Sequence, residues 1–321
     1  MSIHKYEAFS KVVEQGSLSK AADLLGVTQS GVSHAISSLE AELGVVLFLR
    51  GRSGMKLTPN GEKLLKPIVE ILNWNGHLKQ VVASIHGIET GTVRIGTFTS
   101  VSVHWLPGIM KAYQAEYPHV EFQLMEGSYE QIENWIAEGK VDCGFITIPS
   151  REGFDVIPLK KEKLMGIVPN SSPFDTLSHF PLSLAEHHPF IMHQGGTDYD
   201  VQQIMGKAGI HLNVRLFSKD DYAIIAMVKN GLGVSILPEL VMQGYEQQVC
   251  CLELEEPRYR FLGLAVRSMK DASPATRRFV QHVEQWVIKN VSVEDEDIAS
   301  KHKGVDGNED EPKHILSSAS R

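Results

Sequence analysis

Gln29, Ser30, Ser33, His34 and Ser37 set an amide, hydroxyls and an imidazole at helical spacing, with no acid among them. Short donors and acceptors of this kind match the base edges in the major groove of DNA, which a helix reads from its N-terminal end. Arg50, Arg52 and Lys56 come next in a Gly-rich segment and offer charge to phosphates or to the minor groove. A second set of groups lies far downstream, where predicted strands end: Thr99, Ser100 and Ser102; Gly127 and Ser128; Thr147; His193 and Gln194. Hydroxyls and free backbone N–H groups beyond the carboxyl ends of strands favour a small polar or anionic ligand. Taken singly, each hydroxyl reads as an ordinary helix cap. The clustering points to a site.

The first set needs two short helices to hold it. Ser17 caps a helix over 18–25, Gly26 ends it, and Thr28 caps the next. That second helix carries an apolar stripe at Val32, Ala35, Ile36, Leu39 and Leu43. Ala21 and Ala22 let the two helices cross closely, with Val27 expected to plug the corner. A plain solvated helix would show a similar polar face, but not the small pair, the Gly turn and the two caps together. After Gly44, two apolar arms flank the basic tip, the pattern of a β-wing.

Leu64, Ile68, Ile71, Asn75, Leu78, Val82 and Ile85 then recur at alternating spacings of four and three. This is a heptad seam that wants a partner helix, with Asn75 setting register. The alternative is a helix packed within its own chain, but no loop signal interrupts 62–86. Leu65, Val69, Leu72 and Val81 form a second flank for packing on the head, and Pro67 is expected to kink the helix.

The second set of groups needs an α/β body. Strands are predicted at 92–98, 120–125, 141–148, 190–193, 214–217, 234–237 and 261–266. Helices are predicted at 101–117, 129–138, 198–208, 220–229 and 274–290. Such alternation predicts mainly parallel sheets covered on both faces, and the length suits two lobes.

The chain has 321 residues, 42% of them hydrophobic and 22% charged, and a net charge of −8. The charge is uneven: residues 1–66 carry +2, residues 67–290 carry −6 and the remainder −4. A mildly basic head on an acidic body suits a protein whose head alone meets phosphate. No apolar run is long enough to span a bilayer. Lys5, Glu7, Lys11 and Glu14 interrupt any signal-peptide core, so a cytoplasmic location without membrane contact is expected. Cys143, Cys250 and Cys251 read as strand residues rather than a disulfide framework. Nucleophile elbow, phosphate loop and zinc-binding His pair are all missing, and His104, His187 and His188 lack companions at metal-ligand spacing. Neither an enzyme nor a metal or cofactor is expected. A solute-binding transport protein would have no use for residues 1–58.

The head resembles that of the LysR-type transcriptional regulators. Ala21-Ala22-x-x-Leu25, Thr28-Gln29-Ser30-Gly31-Val32-Ser33, Leu39-Glu40-x-x-Leu43-Gly44, Leu47-Phe48-x-Arg50 and Leu57-Thr58-x-x-Gly61 carry the likeness, and Val228-x-x-Gly231-Leu-Gly233-Val-x-x-Leu237-Pro238 extends it into the body. The chain departs from the family at Ser30-Gly31, where Pro-Ala is usual, and at His34, where Gln or Arg is frequent. The second wing arginine falls at Ser53, and an arginine that some relatives place near Thr147 is absent. The resemblance implies an all-α winged helix-turn-helix head (1–58) and a long linker and dimerisation helix (59–89). After these it implies an α/β two-lobed effector domain like the type II periplasmic binding proteins (92–290) and a disordered acidic tail (291–321). Lobe one would be 92–160 plus 267–290 and lobe two 161–266, with a small-molecule effector between them. Double-stranded DNA, RNA polymerase and further copies of the chain, in a homodimer or homotetramer, are the implied partners.

Overall fold

The computed structural model describes residues 2–51, 54–87, 89–171 and 173–291. The expected phosphate contact Arg52, Ser53 and the acidic tail from 292 lie outside the described residues. The head is three helices, α1 (Ile3–Gln15), α2 (Leu18–Leu25) and α3 (Gln29–Leu43), followed by a hairpin of β1 (Phe48–Gly51) and β2 (Gly54–Leu57). Phe9, Val12, Ala21, Ala22, Ile36, Leu39 and Leu47 form its core. Gly26 takes φ +65° between α2 and α3, a conformation that costs a side chain but not glycine. Val27 does not plug that corner. It is 52% exposed, and its backbone N–H closes the turn onto Ala22 O instead. Thr58 ties the wing to the linker helix: its hydroxyl donates to Val46 O and accepts from Gly61 N.

The linker α4 (Pro59–Ile85) is one helix with Pro67 inside it. Its heptad seam divides. Leu64 and Ile68, expected at the dimer interface, pack instead into the head core, where Ile68 is 3% exposed. The reason is geometric: the first turns of α4 lie against α1, so their apolar face is already covered. From Ile71 on, the stripe is uncovered: Ile71, Trp74, Leu78, Val81, Val82 and Ile85 are exposed, and Asn75 is half-buried. Three bonds dock α4 on the body. Asn73 donates to Gly139 O at 2.9 Å, Arg267 pairs with Glu70 at 2.9 Å, and Ala275 N donates to Gln80 Oε1 at 3.3 Å.

The body begins with β3 (Thr90–Thr97), α5 (Thr99–His104), α6 (Leu106–Glu116), β4 (His119–Glu126), α7 (Tyr129–Ala137) and β5 (Cys143–Ile148). The helix expected over 101–117 breaks at Trp105, because Pro107 starts a new helix and lacks the donor to continue the old one. The long β6 (Asp155–Val168) leads into α8 (Leu184–His187), β7 (Phe190–His193), α9 (Asp198–Ala208), β8 (Val214–Ser218) and α10 (Asp221–Lys229). Then come β9 (Ser235–Pro238), α11 (Glu239–Met242), β10 (Cys250–Glu253), β11 (Tyr259–Val266) and α12 (Pro274–Asn290). Strand order is β10-β6-β11-β5-β3-β4, with β9 also on β6 and β7 paired to β8.

The sheet is mixed rather than mainly parallel. β3 is parallel to β4 and β5, and β7 to β8, but β6 and β11 pair antiparallel with all their neighbours. The chain crosses between lobes once in each direction, so its two crossing strands must run in opposite senses. Their side chains serve both lobes. Leu164 and Val168 belong to the lobe-two core, whereas Leu262, Leu264, Ala265 and Val266 lie in the lobe-one core. The expected edge of lobe two at 266 therefore falls too late, since β11 already pairs with β5 from Phe261. Val291, assigned to the tail, is buried against lobe one and closes α12.

Candidate functional site

Two surfaces collect the sequence-predicted residues. On the head, Thr28 accepts from Gly31 N at 3.1 Å and so starts α3 without the usual Pro-Ala. Such a cap contributes about 1 kcal/mol. Val32, Ile36 and Leu39 bury one face of α3 and turn the other outward. Gln29, Ser30, His34 and Ser37 are exposed on it, and Ser33 is half-buried. Ser30 Oγ lies 3.1 Å from Thr28 Oγ1, so part of its capacity serves the cap. The wing comes to the same side: Arg50 Nη2 stands 3.5 Å from Ser33 Oγ, and Lys56 is exposed on β2. Glu40 fixes this approach by accepting from Leu47 N and Phe48 N at 2.7 and 3.2 Å.

The second surface is a cleft of about 800 Å³ between the lobes. Thr99, Ser100, Ser102, Gly127, Ser128, His193 and Gln194 all line it. Thr147 does not. It sits on β5 opposite Leu262 of β11, so the crossing strand covers the end of β5 that would otherwise face the cleft. From that strand Arg260 reaches in, two residues before Thr147's partner. A guanidinium thus comes to the cleft from β11 rather than from β5.

Arg260 is 3% exposed and makes three side-chain hydrogen bonds, to one carboxylate and two hydroxyls. Its Nε donates to Glu162 Oε2 at 2.6 Å, its Nη2 to Ser100 Oγ at 2.9 Å and its Nη1 to the Tyr129 hydroxyl. Glu162, 1% exposed on β6, uses its other oxygen to accept from Leu240 N at 2.6 Å. Burial alone would pull the Arg260 guanidinium down, but Glu162 and Tyr129 hold it above its ordinary value. Burial also pushes the Tyr129 hydroxyl up. The network joins both crossing strands to α5, α7 and α11, so it clamps the hinge of the two lobes.

On the lobe-two wall, Asp220 caps α10 by accepting from Tyr222 N and Ala223 N. Asp221 is buried beside it, 3.5 Å from His193 Nε2, and Thr99 across the cleft helps to hold its carboxyl down. Burial raises its carboxyl more than His193 and Arg260 lower it. His193 lies flat on Gly196, where a Cβ would come within 2.4 Å of the ring. His193 Nδ1 and Thr197 Oγ1 are buried without hydrogen-bond partners. A further bridge spans the lobes: Tyr222 Oη is 3.5 Å from His104 Nε2. Burial pulls the His104 imidazole down and pushes the Tyr222 hydroxyl up to about 12.

Sequence reading missed Arg260, Glu162, Asp221, Thr197, Tyr129 and Tyr222. Glu162 hides in Lys160-Lys161-Glu162-Lys163, which looks like a solvated charge run. A usable signal was period two: in a strand, Glu162 must face opposite to Lys161 and Lys163. Among the described residues no group of three or more His, Cys, Asp or Glu is arranged to hold a metal, and no helix is long and apolar enough to cross a membrane.

Comparison with known proteins identifies the two parts of the chain that carry these surfaces. Residues 3–62 match the family model "Bacterial regulatory helix-turn-helix protein, lysR family", and residues 86–287 match "LysR substrate binding domain". The HTH-type transcriptional regulator YvbU of Bacillus subtilis strain 168 is 34% identical over 88% of this chain and 97% of its own length. Full-length CbnR, solved with its target DNA, superposes with a TM-score of 0.65 at 22% identity, covering 89% of this chain and 100% of that one. The effector-binding domain of QuiR, solved with shikimate, gives 0.58 at 19% identity over 63% of this chain and 99% of that one. At these identities the two structures speak to the fold alone.

Proposed function

The chain belongs to the LysR family of DNA-binding transcription regulators with an effector-binding domain, and on that premise we propose how its own residues divide the work. The N-terminal end of α3 reads base edges with Gln29, Ser33, His34 and Ser37, while Arg50 and Lys56 hold phosphates. The observation carrying this reading is the approach of Arg50 to Ser33: wing and helix converge on one exposed polar face. The uncovered part of α4, from Ile71 to Ile85, pairs with a second copy, and pairs of dimers form the tetramer. Each dimer then meets two half-sites at a spacing set by the protein. The cleft at Thr99, Ser100, Ser102, Gly127, Ser128, His193 and Gln194 senses a small polar molecule and is no catalytic site. Its occupancy acts by favouring one arrangement of the lobes over another, since a ligand shifts an equilibrium only by its differential affinity. The work is done in the cytoplasm, where DNA and RNA polymerase are at hand.

The test is selection of binding sites from a pool of random duplexes by the purified full chain. One dyad-symmetric site should be enriched, and Gln29→Ala should blur its consensus. Enrichment of nothing beyond the starting pool would overturn the assignment of the reading face.

A further inference from the structure

The walls of the cleft differ in what they lack. On lobe one and the crossing strand the surplus is in donors. Arg260 keeps guanidinium N–H groups beyond the three bonds it makes. Ser128 and Tyr129 at the start of α7 line the same space; the capping box there uses Ser128 N and Gln131 N and leaves the N–H groups of Tyr129 and Glu130 without helical partners. On lobe two the surplus is in acceptors. Asp220 uses one carboxylate oxygen, Oδ1, to cap α10. Asp221 caps nothing: among the described residues no Lys or Arg forms an ion pair with it, His193 Nε2 stands 3.5 Å away, and Arg260 and Thr99 act on it from across the cleft. The Arg260 charge is already balanced by Glu162, so the unmatched charge among these buried groups is negative.

Two buried atoms add to this. Thr197 is 2% exposed, lines the cleft, and leaves its Oγ1 unpartnered. His193 also lines the cleft, and its Nδ1 is unpartnered. His193 Nε2 lies 3.5 Å from Asp221, and the tautomer with its proton on that nitrogen leaves Nδ1 as an acceptor. Asp221, Thr197 Oγ1 and His193 Nδ1 are then three acceptors on one wall, and a primary ammonium brings three donors. A ligand with negative charge alone would set it against Asp221 and leave these acceptors unmet.

We propose that the effector is a small zwitterion of the amino-acid class, its ammonium held by Asp221, Thr197 and His193 and its carboxylate by Arg260 and the start of α7. This rests on the reading of the cleft as the sensor site and names the chemistry it takes. The ammonium subsite sets specificity: an α-hydroxy acid of the same side chain keeps the carboxylate contacts but loses the charged ones on lobe two.

The test is calorimetric titration of the full-length chain with the proteinogenic L-amino acids, followed by the α-hydroxy acid of each one that binds. At least one amino acid should bind, and its hydroxy acid should bind about ten- to a hundredfold more weakly, the loss expected for a charged hydrogen-bond set. Asp221→Asn should weaken the amino acid by a similar factor and the hydroxy acid little. The wild-type comparison decides the matter even where the variant fails to fold. If hydroxy acids bind as tightly as amino acids and Thr99→Phe, which narrows the cleft, abolishes both, the ammonium subsite is wrong and the cleft stands. If an amino acid binds but neither Asp221→Asn nor Thr99→Phe alters it, the cleft reading falls as well. Binding of no amino acid at millimolar concentration overturns the proposal.

Discussion

Gln29, His34 and Ser37 stand exposed on the head, whereas buried Arg260, Glu162 and Ser100 of the body are bonded to one another and to half-buried Tyr129. The head keeps its functional groups free because its partner is a large polar surface that arrives from outside. The body ties its groups together because its ligand is small and must be met by a preformed cavity. Substitutions in the two regions should therefore fail differently: on the head they lose binding and keep the fold, and in the cleft they lose both.

The largest effect expected from this difference is at the hinge. Arg260→Met leaves Glu162 buried without its cation, and breaking one side of a buried pair costs about 3–5 kcal/mol. Urea unfolding of the full chain should show the loss in the body, with the transition of the head unmoved. A cost below about 1 kcal/mol would mean the network is no more than a surface ion pair, and the contrast between the regions would fail.

The next effect lies where the two regions meet, on α4. Ile68→Lys puts a charge into the head core and should destabilise the head by about 3 kcal/mol. Leu78→Lys, three turns further on, meets no core of its own chain and should leave unfolding unchanged while sedimentation shows a smaller species. Identical behaviour of the two variants would undo the division of the helix into a packed part and a pairing part.

That division also shows what was legible in the sequence. The head was readable because its signals are local: Ser17, Gly26 and Thr28 cap and stop helices within a few residues, and the structure uses all three. The heptad seam gave the right period, but period alone cannot say whether Ile68 faces a partner or the chain's own α1. In the body, α9 and α12 fall on their expected residues, and the cleft hydroxyls from Thr99 to Ser128 were found from strand ends. Of the two crossing strands, β11 was read at 261–266 and β6 was missed. β6 carries in its middle a run that looks solvated, and its pairing to β11 joins residues roughly a hundred or more apart, from Lys163 with Tyr259 to Asp155 with Val266. Arg260 meets Glu162 only through that long-range pairing, and Asp221 meets the cleft only through the packing of α10 beside β7; no window along the chain contains either.

A smaller effect separates residues within the head. Gln29→Ala and His34→Ala should each cost about 1–3 kcal/mol on the selected site and relax base preference at one position. Arg50→Ala should weaken all sequences alike and lower the salt slope by about one. Competition binding at several salt concentrations distinguishes the two behaviours. Equal losses on selected and random DNA for the α3 variants would show that this helix positions the head without reading sequence.

The smallest effect is the sharpest test of where the cleft ends. Thr147 stands at the carboxyl end of β5, where a parallel-strand argument puts a ligand contact, yet β11 covers it and it lies outside the lining. Its hydroxyl makes no bond among the described residues, so Thr147→Ala should change neither stability nor the response to effector by a measurable amount. Ser100→Ala, one strand away in the same lobe, removes the acceptor of a buried Arg260 donor. It should cost about 1–3 kcal/mol of stability and abolish the response. Titration of effector into the DNA complex of each variant makes the comparison direct. A loss of response in Thr147→Ala would mean that lobe movement uncovers β5 when the ligand arrives, and the cleft would then extend past the crossing strand.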